Sequence, residues 1–478
     1  MIIQQPTVQL ADPHICSDAR SRLNILTAIF DALVQRNSAG QFVPGLAANW
    51  SVEEGAKKWT FNVRDGVSFH NGDSLRAEDV VESLRRACDP SVGGELGTEG
   101  VWASYLGEAE IAAVNGQTVT IATAQPMADL LDLLVAIPIL PQRALPDLPS
   151  AFVGSGPWRL VEWSAEQVLL EAFSAAQVRQ PQTPFATTRL HWQAEPNEEA
   201  RIEALLAGKT DIITDLSPQN APKIAQGAKH VLSQPSNLCV AFLCNASRGP
   251  CTNVYFRQAL NHAINVQRMV TEAIHGGGTR LNGPLSPFHF GCDRDVLPYA
   301  FDQEKARSLL AASGMDKKVV VDLPMTLPDE APLLGEMLAE DLALVGVEVE
   351  LRHFSDRSAY AHRVKEKQID DLCCFDSSPL STYRVLREKI NSDVAGPWWQ
   401  GYSNSGVNGL LDKASQTVDK QERQSIYRQA YRIVHEEAPW LFLYHPTNYW
   451  GVNWDEATGP SPDKIGRTSE GLLQFVSH

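Results

Sequence analysis

The sequence predicts a mixed α/β protein with several domains, and three observations support this prediction. Residues 59–63 alternate apolar and polar side chains, as a half-buried strand does. Residues 303–313 and 422–437 instead place apolar side chains at helical spacing. The chain has 478 residues, and at about 150 residues per domain this length suggests about three domains or two large ones.

The first elements follow one another closely. Residues 23–34 have helical spacing and end at a turn. The strand 59–63 puts Trp59, Phe61 and Val63 on one face. Asp65-Gly66 then turns the chain, and 67–70 is expected to return as a short strand.

A helix is expected to begin near residue 74, capped by Ser74 or Asp73, with Val80, Val81 and Leu84 facing inward. Further along the chain the same patterns recur. They predict strands at 118–123, 158–163, 168–173, 211–214, 238–243, 347–353 and 440–444, and helices at 198–206, 253–273, 303–313, 331–344 and 422–437.

Charge and hydropathy exclude several functions. The formal net charge of −16 argues against a nucleic-acid partner, which needs clustered Lys and Arg. It also disfavours an anionic membrane surface. No apolar run is long enough to span a bilayer. The first residues lack the features of an export signal, so we expect either a cytosolic protein or a chain given without its signal.

Signatures of catalysis and of metal binding are weak. The sequence contains no G-x-S-x-G elbow, no P-loop and no strand-linked G-x-G-x-x-G. The nearest metal candidates are His289, Cys292, Asp293 and Asp295, whose spacing matches no closed site. We therefore expect no catalytic residues, no resident metal and no cofactor.

Eight cysteines are too few for a disulfide scaffold in a chain of this length. Cys239 and Cys244 lie in an apolar run and are expected to be core thiols. A disulfide that involves Cys251 or Cys292 stays open.

Several motifs along the chain resemble those of one family. They include FDALV and PGLA within 27–50, WTFNVRDGVSFHNG and AEDV within 59–84, GSGPWRLVEW at 154–163, and the longer segments 242–270, 299–314 and 421–444. Together they are similar to the family 5 extracellular solute-binding proteins of ABC importers, which bind dipeptides, oligopeptides or nickel. The resemblance covers nearly the whole chain.

This resemblance implies a periplasmic binding protein-like fold of type II, with two lobes, a hinge and an extra small domain (cluster C). Lobe I would comprise 1–27, 154–246 and 446–478, the small domain 28–153, and lobe II 247–445. The ligand would bind between the lobes and favour the closed state. The segment 59–84 would then be scaffold, with His70 a turn residue and not a base.

The resemblance also points to a ligand-binding carboxylate. Peptide-binding relatives carry a W-x-x-D-Y-x-D-P motif whose first Asp pairs with the ammonium group of the peptide. The similar stretch here is LCCFDSSPLSTY at 372–383, which places Asp376 near that position. The Trp is missing and Ser377 replaces the Tyr, so this stretch departs from the pattern of the peptide-binding relatives. The alternative is that Asp376 caps or closes a turn.

Aromatic and amide side chains follow in the stretch GPWWQGYSNSGVNGLLDKA at 396–414. Trp398, Trp399 and Tyr402 are candidates to line the cleft, since aromatic rings bury much area with few rotamers to lose. Asn404 matches the family pattern and is a further candidate. The alternative is that one of the two tryptophans belongs to the core.

The remaining candidates are more scattered. Trp102 and Tyr105, in the small domain, are candidates to cover the cleft from the other side. Arg384 and Arg387 are candidates to clamp a carboxylate or phosphate, or else lie on a solvated helix face. Asn245 is a candidate for hydrogen bonds to the ligand.

The function implied is that of a solute receptor, not an enzyme. It would capture a peptide or a peptide-like, amino-acid-derived molecule for an ABC importer permease, as a periplasmic monomer whose export signal is absent from this chain. The alternatives are a metal-chelate receptor of the nickel-binding type and a cytosolic, ligand-sensing version of the same domain. A hydrolase is disfavoured because no nucleophile–base pair is visible.

Overall fold

The structure is a computed structural model, which describes residues 1–475 except 18, 38, 54, 177, 179–186, 228 and 454–465. Its strands are β1 (Ile2–Gln5), β2 (Val34–Arg36), β3 (Phe42–Pro44), β4 (Ala47–Val52), β5 (Lys58–Val63), β6 (Glu110–Asn115), β7 (Thr118–Ala122), β8 (Trp158–Trp163), β9 (Gln167–Ala172), β10 (Arg189–Ala194), β11 (Ile212–Ile213), β12 (His230–Pro235), β13 (Cys239–Cys244), β14 (Gly278–Arg280), β15 (Lys318–Pro324), β16 (Glu348–Phe354), β17 (Leu372–Ser377), β18 (Trp440–Val452), β19 (Gly466–Arg467) and β20 (Leu473–Gln474).

The α-helices are α1 (Arg20–Ile29), α2 (Ala77–Ala87), α3 (Val101–Leu106), α4 (Leu131–Leu134), α5 (Glu198–Leu206), α6 (Ala221–Gln226), α7 (Val254–Ala263), α8 (Val266–Glu272), α9 (Gln303–Ser313), α10 (Ala331–Ala343), α11 (Arg357–Lys365), α12 (Thr382–Lys389), α13 (Ser405–Gln416) and α14 (Lys420–Glu437). Short 3-10 helices lie at Pro90–Val92, Gln142–Asp147 and Pro250–Thr252. No helix in the described ranges is long and apolar enough to cross a bilayer.

The chain forms two compact units. Unit 1 comprises Met1–Gln234 and Asn448–His478, and unit 2 comprises Pro235–Thr447. The finer division into two lobes and a small domain stays a prediction.

The larger sheet of unit 1 has the order β8-β9-β10-β1-β11, followed by the last residues of β18. β1 runs parallel to both of its neighbours, whereas β8, β9 and β10 pair antiparallel. Ile3, Trp158 and Trp192 are fully buried in its core. Burial of these large apolar side chains removes their surface from water, which stabilises the unit.

A second, antiparallel sheet in unit 1 has the order β4-β5-β7-β6. On β5 the predicted alternation is confirmed, because Trp59, Phe61 and Val63 are buried. α2 packs against β6 and β7. Residues of β5 and α2 thus contribute to the packing of unit 1, and the reading of the whole segment 59–84 as scaffold stays a prediction.

Two local predictions in this region are wrong. Residues 67–70 form no strand and make a single bridge, between Ser68 and Ser74. The helix starts at Ala77 because Asp79 accepts a hydrogen bond from the backbone N–H of Arg76 (2.8 Å), which fixes the first turn there. His70 lies in a turn, as expected, and its ring nitrogen Nε2 is 2.9 Å from the carbonyl oxygen of Gly156.

The sheet of unit 2 has the order β16-β15-β17-β13, followed by β18, and β14 also pairs with β18. β15 runs parallel to β16 and β17, and β13 pairs antiparallel with both neighbours. Every residue of β13 is buried. Its alternate side chains enter two different apolar clusters. The sheet is therefore covered on both faces, which explains the continuous apolar run in the sequence.

Two predicted helices have different boundaries. The helix expected at 253–273 is divided into α7 and α8, because Asn265 caps α8 by accepting from the N–H of Arg268 (3.0 Å). The helix expected at 23–34 occupies Arg20–Ile29 and is followed by β2. Local capping explains the division between α7 and α8, whereas residues 30–34 of the first predicted helix lie outside α1, which has no side-chain cap at its start.

Candidate functional site

The carboxyl ends of β15, β16 and β17 lie at one edge of the unit 2 sheet, which we call the carboxyl edge. The parallel register places Pro324 opposite Phe354 there, and β17 ends at Ser377. In open α/β sheets, ligands bind outside the carboxyl ends of the strands. This edge is therefore the first place within unit 2 to look for ligand contacts.

Asp376 lies at the carboxyl edge. It pairs with Val240 of β13, and Val240 in turn pairs with Tyr444 of β18. The carboxylate Oδ1 of Asp376 is 3.6 Å from Nη2 of Arg357, and the two side chains are only 19% and 12% exposed. Asp376 is thus a largely buried carboxylate with a cationic neighbour of the same unit.

The guanidinium of Arg357 is held from several sides. Arg357 begins α11, and its Nε donates to the carbonyl oxygen of Leu327 (2.8 Å). Its Cζ lies 5.7 Å from the ring centroids of both Tyr360 and Phe375. Nη1 is buried and has no hydrogen-bond partner among the described residues. A buried donor left unpaired costs about 1–3 kcal/mol, so this atom marks a position where a ligand acceptor would be stabilising.

A second carboxylate belongs to the same edge. The hydroxyl of Tyr444 donates to Oε1 of Glu330 (2.5 Å). Burial, and then the charge of Glu330, raise the pKa of Tyr444. Burial raises the pKa of the Cys374 thiol, and the charges of Glu330 and Asp376 raise it further. Two carboxylates and one guanidinium therefore lie around the end of β17.

Trp398 belongs to the packing beneath this group. Its ring lies 5.1 Å from that of Phe375, centroid to centroid, and its side chain is buried in the same apolar cluster. Arg357 contacts Asp376 and lies over the ring of Phe375, which packs against Trp398. Trp398 is therefore linked to Asp376 through these two residues. Trp398 supports the ring on which the guanidinium rests.

The other aromatic and amide candidates lie at the opposite edge of the sheet, which we call the amino edge, where β17 begins and β13 ends. Indole Nε1 of Trp399 donates to the carbonyl oxygen of Tyr402 (2.6 Å). Nδ2 of Asn404 donates to Oε1 of Glu437 (2.8 Å), and its Oδ1 caps α13. Burial, and then the neighbouring Glu437, raise the pKa of Tyr402. These contacts tie the loop to the scaffold.

Asn245 also lies at the amino edge, directly after β13. Its Oδ1 accepts from the N–H (3.2 Å) and the hydroxyl (2.6 Å) of Ser247. Its Nδ2 donates to the carbonyl oxygen of Ile369 (3.2 Å). Asn245 and Val240 are five positions apart along the chain, so roughly 17 Å separates the two edges along the strand.

Arg384 lies within α12, where its Nε donates to Oε1 of Glu388 (3.1 Å). Both side chains are buried. The solvated helix face offered as the alternative therefore does not apply to Arg384, although Arg387 is partly exposed. The role of Arg384 as a clamp for an anionic ligand stays a prediction.

Trp102 and Tyr105 are both buried on α3 in unit 1. Indole Nε1 of Trp102 donates to the carbonyl oxygen of His14 (3.0 Å). Burial, and then the nearby charge of Arg86, lower the pKa of His14 to about 4. The contribution of Trp102 and Tyr105 to a ligand site stays a prediction.

The loop that carried the metal candidates is held by other contacts. His289 lies between the hydroxyl of Ser286 (2.9 Å) and the carbonyl oxygen of Pro379 (2.9 Å). Asp293 pairs with Arg432. Within the described ranges, no group of three His, Cys, Asp or Glu side chains is placed to hold a metal ion. Cys239 and Cys244 are buried core thiols, as expected, and burial raises the pKa of Cys239.

Comparison with known proteins identifies the family. Residues 41–372, well over half of the chain, match the family described as "Bacterial extracellular solute-binding proteins, family 5 Middle". The chain belongs to this family. Its members bind substrates and are not enzymes, and the family and the fold class expected from the motifs are confirmed.

Individual relatives of this family 5 protein are distant but match over most of their length. The dipeptide-binding protein of Escherichia coli is 25% identical over 461 residues, which cover 89% of this chain and 85% of the relative. The structure of HbpA2 from Haemophilus parasuis has a TM-score of 0.82 at 21% identity and covers 100% of this chain and 99% of its own. NikA from Brucella suis, in complex with Fe(III)-EDTA, has a TM-score of 0.81 at 19% identity, covering 99% and 100%.

Sequence reasoning missed Arg357, Phe375, Glu330 and Tyr444 as members of the group around Asp376. Phe375 directly precedes Asp376 in the quoted motif, so its proximity could have been inferred. Arg357 and Glu330 lie at the start of α11 and directly before α10, and no spacing in the sequence links them to β17. Only the parallel pairing of β15, β16 and β17 brings them to one edge.

Proposed function

We propose that this family 5 protein captures a small peptide or a peptide-like, amino-acid-derived molecule and delivers it to an ABC importer. We further propose that it acts as a monomer in the periplasm, with a permease as its partner. The family match and the dipeptide-binding relative support the class of function.

The observation that carries the choice of ligand is the group around Asp376. A buried carboxylate with a second acid, Glu330, nearby suits the ammonium group of an amino-acid-derived ligand. A charge-assisted hydrogen bond of this kind is worth about 1.5–3 kcal/mol. We therefore assign Asp376 to the ligand ammonium.

The first test is native mass spectrometry of the purified protein, followed by release of its cargo under denaturing conditions. We expect a small organic molecule with an amino group. If the protein carries none, a thermal-shift screen of dipeptides, opines and metal chelates should reveal the class. A response to none of the amine-bearing ligands would contradict the proposal.

The second test is the variant Asp376→Asn, which keeps the shape of the side chain and removes its charge. We expect the dissociation constant of an amine-bearing ligand, measured by calorimetry, to rise at least about tenfold. The matched control is Asp393→Asn, which changes an exposed carboxylate of the same unit and should leave the affinity unchanged. An unaltered affinity in Asp376→Asn would contradict the assignment of Asp376 to the ligand ammonium.

A metal-chelate receptor is the second candidate, and Arg357 is the observation that favours it. A guanidinium held against two aromatic rings can also receive the carboxylates of an anionic chelate. The dissociation constant of such a chelate should be nearly unchanged in Asp376→Asn. The same calorimetric series therefore separates the two candidates.

A further inference from the structure

The cysteines of unit 2 are divided between the two apolar clusters that cover its sheet. One cluster contains Cys244, Cys251 and Cys374. The cysteines of the other cluster are Cys239, Cys292 and Cys373. Thiols on opposite faces of a sheet cannot approach each other, so Cys244 has only the other two cysteines of its own cluster as neighbours on its face.

Cys374 is badly placed for a bond to Cys244, although the two residues lie on neighbouring strands. Cys244 pairs with Leu372, and Cys374 pairs with Phe242, so the two cysteines are diagonal neighbours. Diagonal neighbours on one face of a sheet are about 7–8 Å apart. The Cα atoms of a disulfide are usually roughly 4.4–6.8 Å apart, which this diagonal exceeds.

Cys251 is brought back to Cys244 by the turn that follows β13. Cys244 ends β13, and its backbone N–H donates to the carbonyl oxygen of Pro439 (3.1 Å). Cys251 lies seven positions later, in a short 3-10 helix. Arg257 donates from Nη1 to the carbonyl oxygen of Cys251 (2.9 Å) and from Nε to that of Ala438 (3.2 Å). Both cysteines are therefore anchored to the segment that joins α14 to β18.

The side chains of the two cysteines lie against each other in the core. Contact with the Cys244 thiol, and then burial, raise the pKa of the Cys251 thiol. Cys244 is 1% exposed and Cys251 is 0% exposed. In the structure both are free thiols, and neither is accessible to a reagent in water once the unit has folded.

We propose that Cys244 and Cys251 form a disulfide when the chain folds in an oxidising compartment, and that this bond closes the segment 245–250 at the amino edge. Disulfides persist in such compartments and are rare in the cytosol, and members of this family are periplasmic. The inference concerns a covalent modification of the fold, and it does not depend on which ligand the protein binds.

The bond forms by exchange with the disulfide of an oxidised thiol compound. The thiolate of one cysteine attacks that disulfide, releases one thiol and leaves a mixed disulfide. The second cysteine attacks the mixed disulfide, so that the S–S bond of the protein forms and a second thiol leaves. Two protons and two electrons pass from the protein to the oxidant. Because both thiols are buried in the folded unit, the exchange takes place during folding.

The experiment refolds the denatured and reduced full chain with a mixture of reduced and oxidised glutathione. Free thiols are then alkylated under denaturing conditions and counted by mass spectrometry. We expect two of the eight thiols to be unreactive after refolding. Arg248 lies between the two cysteines, so trypsin without reductant should give two peptides that are joined by the bridge.

Serine variants identify the bridged pair. In Cys251→Ser every remaining thiol should react, and Cys244→Ser should give the same result. The matched control is Cys239→Ser, which removes a buried thiol from the same strand and the same tryptic peptide but from the opposite face. The bridge should persist in this control.

Thermal melting gives a second readout. A disulfide that closes a short loop stabilises the folded state, so reduction of the refolded protein should lower its Tm by roughly 5 °C. The Tm of Cys251→Ser should not respond to the reductant. If this variant does not fold, the thiol count and the peptide map of the unchanged protein carry the test.

Eight reactive thiols after refolding would overturn the proposal. A bridge that persists in Cys251→Ser, or that joins Cys244 to Cys374, would overturn it as well. Calorimetry with dipeptides is run on the oxidised and on the reduced protein. Because the two cysteines lie at the amino edge, ligand affinity should be the same in both forms, and a protein that binds no ligand would contradict the proposed function without affecting the disulfide.

Discussion

The two edges of the unit 2 sheet both carry polar side chains, but the hydrogen bonding of these side chains differs. At the amino edge, the amide groups of Asn245 and Asn404 are bonded to atoms of the same unit. At the carboxyl edge, Arg357 and Ser377 each hold a buried polar atom that no described residue satisfies. The amino edge also holds one such atom, the hydroxyl of Tyr402, but the two asparagine side chains there are bonded to the fold. We therefore propose that the carboxyl edge is the part of unit 2 that binds ligand.

We expect the largest effect on stability from replacing Trp398, whose buried ring supports the carboxyl edge from within the core. Replacing Trp398 with Ala removes a buried ring and its contact with Phe375. We expect a loss of about 3–5 kcal/mol in the free energy of unfolding, measured by urea denaturation. Trp399→Ala is the control, since this neighbour is only half-buried. Equal losses in the two variants would contradict the placement of Trp398 in the core.

An intermediate effect is expected at the amino edge. Asn245→Ala removes three hydrogen bonds of a buried side chain. The carbonyl oxygen of Ile369 keeps Arg248 as a donor, and Ser247 is exposed to water. The loss of the three bonds should lower the free energy of unfolding by about 2–3 kcal/mol and leave ligand affinity within about twofold. A loss of affinity with unchanged stability would break the comparison, because Asn245 would then act as a ligand contact.

The smallest effect on stability is expected at Ser377. Its buried hydroxyl has no partner in the described part of the chain, so Ser377→Ala should change the free energy of unfolding by less than about 1 kcal/mol, in the stabilising direction. Affinity for the ligand should nevertheless fall a few-fold in calorimetry. A clear loss of stability would show that the hydroxyl serves the fold and would weaken the distinction between the edges.

Much of the fold was predictable because it depends on local pattern. The helix at Gln303–Ser313 and the strand at Trp158–Trp163 have the predicted boundaries, since strong periodicity and clear turn residues mark both ends. The helix expected at 253–273 is divided because Asn265 offers a cap in the middle of the apolar pattern. Its backbone N–H also donates to Asp341, a distant residue. Such tertiary contacts cannot be inferred from the spacing of apolar residues along the sequence.

The candidate site was predictable only in part. Asp376 was found because it lies in a stretch that resembles a family motif. Trp399 and Asn404 were selected for their residue types, and those types serve equally well in a loop bonded to its own scaffold. Arg357 was missed because it joins Asp376 through the pairing of separate strands, which the sequence does not display.

Hydrogen–deuterium exchange, with and without a bound dipeptide, tests the central claim most directly, because it reports each edge separately. The account predicts slower exchange on binding in the segments 325–331 and 374–381 at the carboxyl edge. It predicts no change in 245–248 and 400–404 at the amino edge. Protection confined to the amino-edge segments would contradict the claim that the carboxyl edge of unit 2 binds the ligand.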